Sequence, residues 1–323
     1  MLPFGGHAGA FPMRAVRSSN RKIEVVEVPK PGGEGIRVRV RSAGICGSDL
    51  LMQERGLLAH TIGHEFAGLL DDDTPVAVQP ITPCGVCEFC RAGSYQLCEV
   101  CVGSTLGVYR DGGMADEIRV ERECIVSLAD GVRVEDACLV EPLAVAIHGL
   151  ERAGAQSGQR VAIVGAGSLG LAAAAAARFR GCEVDVVARH DAQHRAAEVL
   201  GAGREVRGVY DLAIDAAGNE GAIARAVELA RPGGGLLLLG WDWERVVLPG
   251  AAVAAKELAV RATMTYSHES ALRDVDAAAA LLAERPEVPD ALISHRFPLD
   301  EAPRAFEAAR DRRAGAIKVV LEP

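Results

Sequence analysis

Between Val161 and Val187 the chain reads VAIVGAGSLGLAAAAAARFRGCEVDVV. Val161 to Val164 is a short apolar run of β-branched character. Gly165, Gly167 and Gly170 follow as G-x-G-x-x-G, with Ser168 and Leu169 inside the turn, and an alanine-rich helical segment comes next. A second apolar run, Val184 to Val187, lies at the distance a βαβ unit requires. A glycine triplet alone says little. Placed between a strand and a helix it lets the backbone approach a pyrophosphate, and the helix N-terminus offers free N–H groups and a positive dipole end. The pattern commits the region to a parallel sheet with helices on both faces.

Alternating apolar strands and alanine-rich helices continue from about Leu143, with strands expected at Leu212–Ile214, Leu236–Leu239 and Leu258–Val260. The first third differs. Lys22–Val28 and Ile36–Val40 are β-rich segments between Pro-Gly turns, and no internal repeat is visible. Ala314 to Leu321 reads as a strand returning to the first region. The expected organisation is a catalytic domain over 1–142, a dinucleotide-binding domain over 143–285, and a return segment over 286–323.

Inside the first region lies CGVCEFCRAGSYQLC, with Cys84, Cys87, Cys90 and Cys98 spaced C-x2-C-x2-C-x7-C. Four thiolates this close can enclose one tetrahedral Zn²⁺ and leave no open position, which makes a structural site. Free or disulfide-bonded cysteines are the bland alternative. The seven-residue last gap and the absence of Cys-Pro argue against the common ferredoxin run. Upstream, GICGSD carries Cys46 and Ser48, and GHE carries His64 and Glu65. Thiolate, imidazole and carboxylate in a sparse set are what a catalytic zinc with an open position uses. Further on, EPLAVAIHG places Glu141 before Pro142 in an apolar helix-like run, where a buried acid needs a partner such as a metal.

These motifs together resemble the zinc-dependent medium-chain dehydrogenases of the alcohol dehydrogenase superfamily, over nearly everything from Met13 onward. EPLAVAIHG is most similar to the polyol (sorbitol-like) and threonine dehydrogenase branch. DGGMADE, DAAGN, RPGGGLLLLG, KELAVRA and the tail from His295 carry the likeness further. The resemblance implies a Rossmann doubly wound parallel sheet plus a β-rich GroES-like catalytic domain with a zinc lobe over 84–98. It implies one catalytic and one structural Zn²⁺, and hydride transfer between a nicotinamide cofactor and an alcohol, polyol or sugar-like substrate. Alcohol dehydrogenase uses two cysteines and a histidine. This chain has no second cysteine at the matching place and has Glu141, as the polyol branch does.

The expected metal set is Cys46, His64 and Glu141, with Glu65 binding directly or through water. Ser48 is expected to accept the substrate's hydroxyl proton, and Asp49 to hold the local turn. The family often continues the proton relay with a His three residues after that Ser; here the position is Leu51. His60 is a weak substitute. The links from Cys46 to His64 and from GHEFAGLL to DDDTPVAVQP are short, and both are expected near the substrate cleft.

An NAD-preferring site carries Asp or Glu at the end of the second strand. Alignment with the family pattern puts Ala188 there, followed by Arg189 and His190, with Asp185 too early and Asp191 one turn late. The absence of a carboxylate and the fork of donors on Arg189 point to NADP(H), with NAD(H) as the alternative.

Two further readings stand beside the main one. One is a reductase of the same fold that works on a C=C or carbonyl without catalytic zinc. The other is a non-catalytic zinc-stabilised nucleotide-binding protein. A net charge of −9 argues against nucleic acid or an anionic membrane as partner. No long uncharged apolar run or signal-like N-terminus is present. Cytoplasmic residence is expected, and a homodimer or homotetramer joined through a sheet edge near Leu236–Val247. Trp241 and Trp243 stand in that stretch, as packing residues or cleft aromatics.

Overall fold

The computed structural model describes residues 12–240 and 245–323. Trp241 and Trp243 lie outside them. Seven strands come before the first nucleotide-type strand: β1 (Pro12–Ser19), β2 (Lys22–Pro29), β3 (Ile36–Gly44), β4 (Glu65–Leu69), β5 (Pro75–Val78), β6 (Glu117–Val120) and β7 (Ile125–Ser127). Five follow in the middle of the chain: β8 (Arg160–Val164), β9 (Glu183–Val187), β10 (Tyr210–Asp215), β11 (Ala230–Leu238) and β12 (Ala259–Ala262). Two close the chain: β13 (Ile293–Pro298) and β14 (Lys318–Glu322).

The middle five form one parallel sheet in the order β12-β11-β10-β8-β9. The chain runs outward in opposite directions from the β8/β10 pair, so their carboxyl ends flank a topological switch point, where this architecture leaves a crevice. The expected β8 and β9 positions hold to within a residue. Both faces of β8 and β10, at its centre, are buried. The helix Ser168–Phe179 contributes eight buried residues to one of them, six of them alanines, whose small side chains let it lie close against the sheet.

The other large sheet has seven strands, in the path β13-β14-β3-β4-β5-β7 with β6 on β3. The C-terminal strand indeed returns to the first region, but it begins at Lys318, because Arg312–Ala314 is a 3-10 turn closed by Gly315 at φ 95°. The β4–β5 link is a tight turn, with Leu70 N–H donating to Thr74 C=O at 2.9 Å. It lies away from the cleft, contrary to expectation. Antiparallel pairing puts Glu65 at one end of β4 and this turn at the other, where Asp71 and Asp73 pair with Arg37 and Arg39 of β3.

Two segments join the sheets. The helix Val140–Arg152 packs its apolar face against the neighbouring helices Ser168–Phe179 and Asp274–Glu284. The four-cysteine lobe docks on 266–269: His268 N–H donates to Gly93 C=O at 2.9 Å, and Tyr95 Oη reaches Gln79 and Ser267 C=O. A side chain on Gly93 would run into the His268 carbonyl. Among the described residues no helix is long and apolar enough to cross a membrane.

Candidate active site and metal centres

Three adjacent strands build the first cluster. β3 ends at Gly44, which pairs with Glu65 on β4 from one side and Val320 on β14 from the other. Gly44 has to be glycine, since a Cβ would collide with the Glu65 carboxylate. Two residues on, Cys46 caps the helix Gly47–Arg55. His64 precedes β4, after Gly63 at φ 104°. Ligand atoms of Cys46, His64 and Glu65 all lie within 4.8 Å of one another.

Asp49 does more than hold the turn. Its Oδ2 accepts from Cys46 N–H at 2.9 Å, and its Oδ1 stands 3.3 Å from His64 Nδ1 as an ion-pair contact, neither of these two atoms having a hydrogen-bond partner among the described residues. The other ring nitrogen, Nε2, lies 3.3 Å from Ser48 Oγ. A carboxylate behind one imidazole nitrogen orients the other for a metal. Burial opposes a charge on His64, but Asp49 and Cys46 outweigh it and push its pKa well up.

Lys318 is the residue that sequence reasoning missed. It is almost fully buried, donates to Glu65 Oε2 at 2.5 Å and to Ile45 C=O at 3.1 Å. Burial disfavours its charge, yet Glu65 and Cys46 raise its pKa overall. The available signal was a lone lysine heading the apolar strand KVVLE, which has to find an anion when that strand is buried.

Glu141 sits outside the group of three but lines the same cavity, in the first turn of Val140–Arg152. Burial pushes its pKa up to about 7; His64 and Lys318 pull it down, and Glu65 and Asp49 push it further up.

The cavity, of about 560 Å³, lies between the two sheets. Cys46, Ser48, His64, Glu65 and Glu141 face it from the metal side, and Leu51, Val108 and Tyr109 line it too. Gly167, Ser168 and Leu169 face it from the other side. Gly165 holds φ 110° with its Cβ position 3.0 Å from Ala217 N, and a Cβ on Gly170 would overlap the Gly165 carbonyl. Both glycines are therefore demanded by packing. Asp215 at the end of β10 accepts from Ala217 and Gly218 N–H, fixing the opposite lip of the crevice. Ser168 Oγ is buried without a hydrogen-bond partner. That orphaned hydroxyl, at a helix N-terminus bare of side chains, fits a bound dinucleotide.

Arg189 and His190 follow β9 and do not line the cavity. Arg189 is exposed, and no carboxylate ends the strand. Asp185 faces elsewhere and accepts from Tyr210 Oη at 2.8 Å. His60 does not reach the cavity either.

In the lobe, Cys84, Cys87, Cys90 and Cys98 bring their sulfurs within 4.8 Å of one another. The Cys87 and Cys90 N–H groups point at the sulfurs of Cys84 and Cys87. N–H groups led by that of Cys84 hold the Cys98 thiol down at about 6, while burial and neighbouring thiols push Cys90 up to about 12. No cysteine is in a disulfide. Four converging sulfurs with N–H donors behind them fit a tetrahedral thiolate-bound metal.

A parallel sheet with a bare glycine turn at its switch point, facing a thiolate–imidazole–carboxylate cluster across one cleft, defines the class of nucleotide-dependent, metal-assisted oxidoreductases. Comparison with known proteins gives the family. The alcohol dehydrogenase GroES-like domain matches residues 32–130. The glucose dehydrogenase C-terminus matches residues 134–322. Sorbitol dehydrogenase of Gallus gallus is 28% identical over 95% of this chain and 94% of its own. L-galactonate-5-dehydrogenase of Escherichia coli (strain K12) is 30% identical over 87% and 89%. A protein from Sinorhizobium meliloti 1021, described as a zinc-binding dehydrogenase and solved with NADP, superposes with a TM-score of 0.84 at 29% identity, covering 97% and 99%. The chain belongs to the zinc-dependent medium-chain dehydrogenase/reductase family, the alcohol dehydrogenase superfamily.

Proposed function

We propose that this protein is a zinc-dependent oxidoreductase that transfers hydride between NADP(H) and a secondary alcohol, polyol or sugar-like substrate and its ketone. The observation that carries this reading is a single cavity lined by Cys46, His64, Glu65 and Glu141 on one side and by the Gly167–Leu169 turn on the other. A buried, complete ligand set is not what a reductase without catalytic metal needs.

Bound between Cys46, His64 and Glu65, zinc would supply Lewis acidity toward a substrate oxygen. The chain's own residues do the rest. Asp49 orients His64, and Lys318 neutralises and positions Glu65. Glu141, at the cavity wall with its carboxyl pKa raised by desolvation, can accept from or, when protonated, donate to a group at the open position. Ser48 Oγ accepts the proton of the substrate hydroxyl while passing its own proton on. Leu51 then closes the usual route, so the proton leaves through water in the cleft. Leu51, Val108 and Tyr109 add apolar and aromatic surface to the cavity wall. The lobe thiols would hold a second, structural zinc.

NADP(H) preference is supported by the missing carboxylate after β9, by Asp185 facing Tyr210, and by the exposed guanidinium of Arg189. The S. meliloti relative was solved with NADP. The chain divides into a catalytic domain over 1–142, a dinucleotide-binding domain over 143–285 and a return segment over 286–323, with the helix Val140–Arg152 running across the first boundary.

The test is zinc content together with NAD(P)H absorbance over a panel of sugars, polyols, secondary alcohols and ketones. About two zinc ions per chain and turnover of at least one hydroxyl/carbonyl pair are expected. Active, fully loaded protein holding about one zinc ion would sink the catalytic-zinc reading. Ala188→Asp should move kcat/KM toward NAD(H), and Arg189→Ala should weaken NADP(H) only.

A further inference from the structure

Three large side chains are exposed and yet line the central cavity: Val102 at 48%, Tyr109 at 54% and Met264 at 40%. A side chain that faces both a cavity and solvent stands where the cavity opens. Val102 and Tyr109 come from the first region, in and after the short helix Glu99–Gly103, and Met264 from the segment after β12. Both halves of the molecule therefore give the opening an apolar face. Exposed apolar surface at a concave site is what an apolar ligand covers. Leu51 and Val108, half-buried, and Ile81, buried, continue the same lining.

Backbone packing sets these positions. The turn 105–110 is closed by Gly107 N–H to Arg110 C=O at 2.8 Å and Tyr109 N–H to Thr105 C=O at 2.9 Å. Gly107, at φ 79°, lies so close to Gly63 that a Cβ would overlap its backbone, and Gly63 precedes His64. Val108 and Tyr109 are thereby tied to the metal cluster. Leu51 stands three residues after Ser48 on the helix Gly47–Arg55, so the two share a face. Thr265 holds φ 56°, which a β-branched residue adopts only where its surroundings impose it. Beside it Tyr266 is fully buried and Met264 is left at the cavity. Polar partners are scarce in this lining. Glu65 is held by Lys318, and Thr105 Oγ1 donates to Val102 C=O at 2.8 Å. Apart from the metal set with Glu141, Lys318, and Arg312 beside Gly167, no charged or amide side chain among the described residues lines the cavity.

A polyol brings a hydroxyl on every carbon. One of them can take the open position by Ser48. Each further one that enters this wall gives up water without gaining a partner. An alkyl or aryl group gains there instead, by about fourfold in kcat/KM for each methylene buried. We propose that the substrate is a secondary alcohol, or its ketone, whose apolar substituent lies along Leu51, Val102, Val108 and Met264, and that polyols are disfavoured. The proposal rests on the reading of the cavity as an alcohol–ketone oxidoreductase site and narrows its substrate class.

Values of kcat/KM for 2-propanol, 2-butanol, 2-hexanol, sorbitol and xylitol test this, measured on the zinc-loaded full chain with NADP+ and with NAD+. They should rise about fourfold per added methylene from 2-propanol to 2-hexanol. Sorbitol and xylitol should lie at least about a hundredfold below 2-hexanol. The double variant Val102→Ser/Met264→Ser changes two exposed positions. It should lower the ratio of the 2-hexanol value to the 2-propanol value by about tenfold, whereas damage to folding or zinc loading lowers both values together. Wild-type values highest for a polyol or sugar, or flat along the three alkanols, overturn the proposal while leaving the oxidoreductase reading intact. A ratio within twofold of wild type in the double variant overturns the assignment to these side chains. Wild-type protein that turns over none of these alcohols, nor any sugar or ketone, overturns the oxidoreductase reading, and the proposal falls with it.

Discussion

Lys318 and Glu65 form an ion pair with side chains about 2% exposed, close to Cys46. Removing one member of such a pair strands the other without solvent. Lys318→Met should therefore cost about 3 kcal/mol or more of unfolding free energy, read from a denaturant titration. A loss below about 1 kcal/mol would mean that Glu65 finds another partner. Glu141 offers a second check in metal-stripped protein. Burial raises its carboxyl from 4.5 to about 7. The unfolded chain gives up this proton first. The contribution to stability is thus fully present below about pH 4.5 and is lost as pH rises through about 7. Glu141→Gln removes that slope. The variant should gain on the wild type across this window and level off above it, on the order of 3 kcal/mol. Parallel curves for the two proteins would show that Glu141 is not the desolvated group. Ser48, Asp49 and His64 are legible from their neighbourhood in the chain. Lys318 is not, because nothing within its own strand names the anion it meets.

At the scale of elements, the lobe and the glycine turn were both readable. Each is a local spacing that dictates its own geometry. The lobe's role depends on docking: Gly93 and Tyr95 tie it to 266–269, on the far side of the cleft from β3 and β4. Cys87→Ser should lower the thermal midpoint and lose one zinc. Cys46→Ser should also lose one zinc and all turnover, but keep the midpoint within a few degrees. Equal thermal losses in both variants would contradict a division into structural and catalytic metals. The expected assembly edge was placed one strand too far inside. Leu236–Leu238 belongs to β11, which is paired on both sides, by β10 and β12. A run of leucines marks a buried strand as readily as an exposed one, so hydrophobicity alone cannot say which strand ends the sheet. At this end of the sheet the outermost strand is β12, with three of its four residues exposed; β9 stands at the other end.

For the whole molecule, β12 ends the sheet among the described residues, and Val246, Val247 and Leu248 are exposed; both features call for cover. We expect a homodimer formed by β12 pairing with its copy across a twofold axis, or a tetramer built from such dimers. Light scattering at micromolar concentration checks this: Val260→Pro should yield monomers, and a wild-type monomer would exclude the arrangement. The amino-acid sequence by itself determined the fold class, the two metal constellations and the dinucleotide turn, because each is written in residues close enough along the chain for spacing to set shape. Only the tertiary structure decided what meets those motifs. β14 returns to β3 and carries Lys318 to Glu65, 253 residues away. The turn just before that strand carries Arg312 over Gly167. Glu141 enters the cavity through a helix whose remaining length packs against the other half. Contacts of this kind depend on how strands pair and helices stack in three dimensions, which no local pattern encodes.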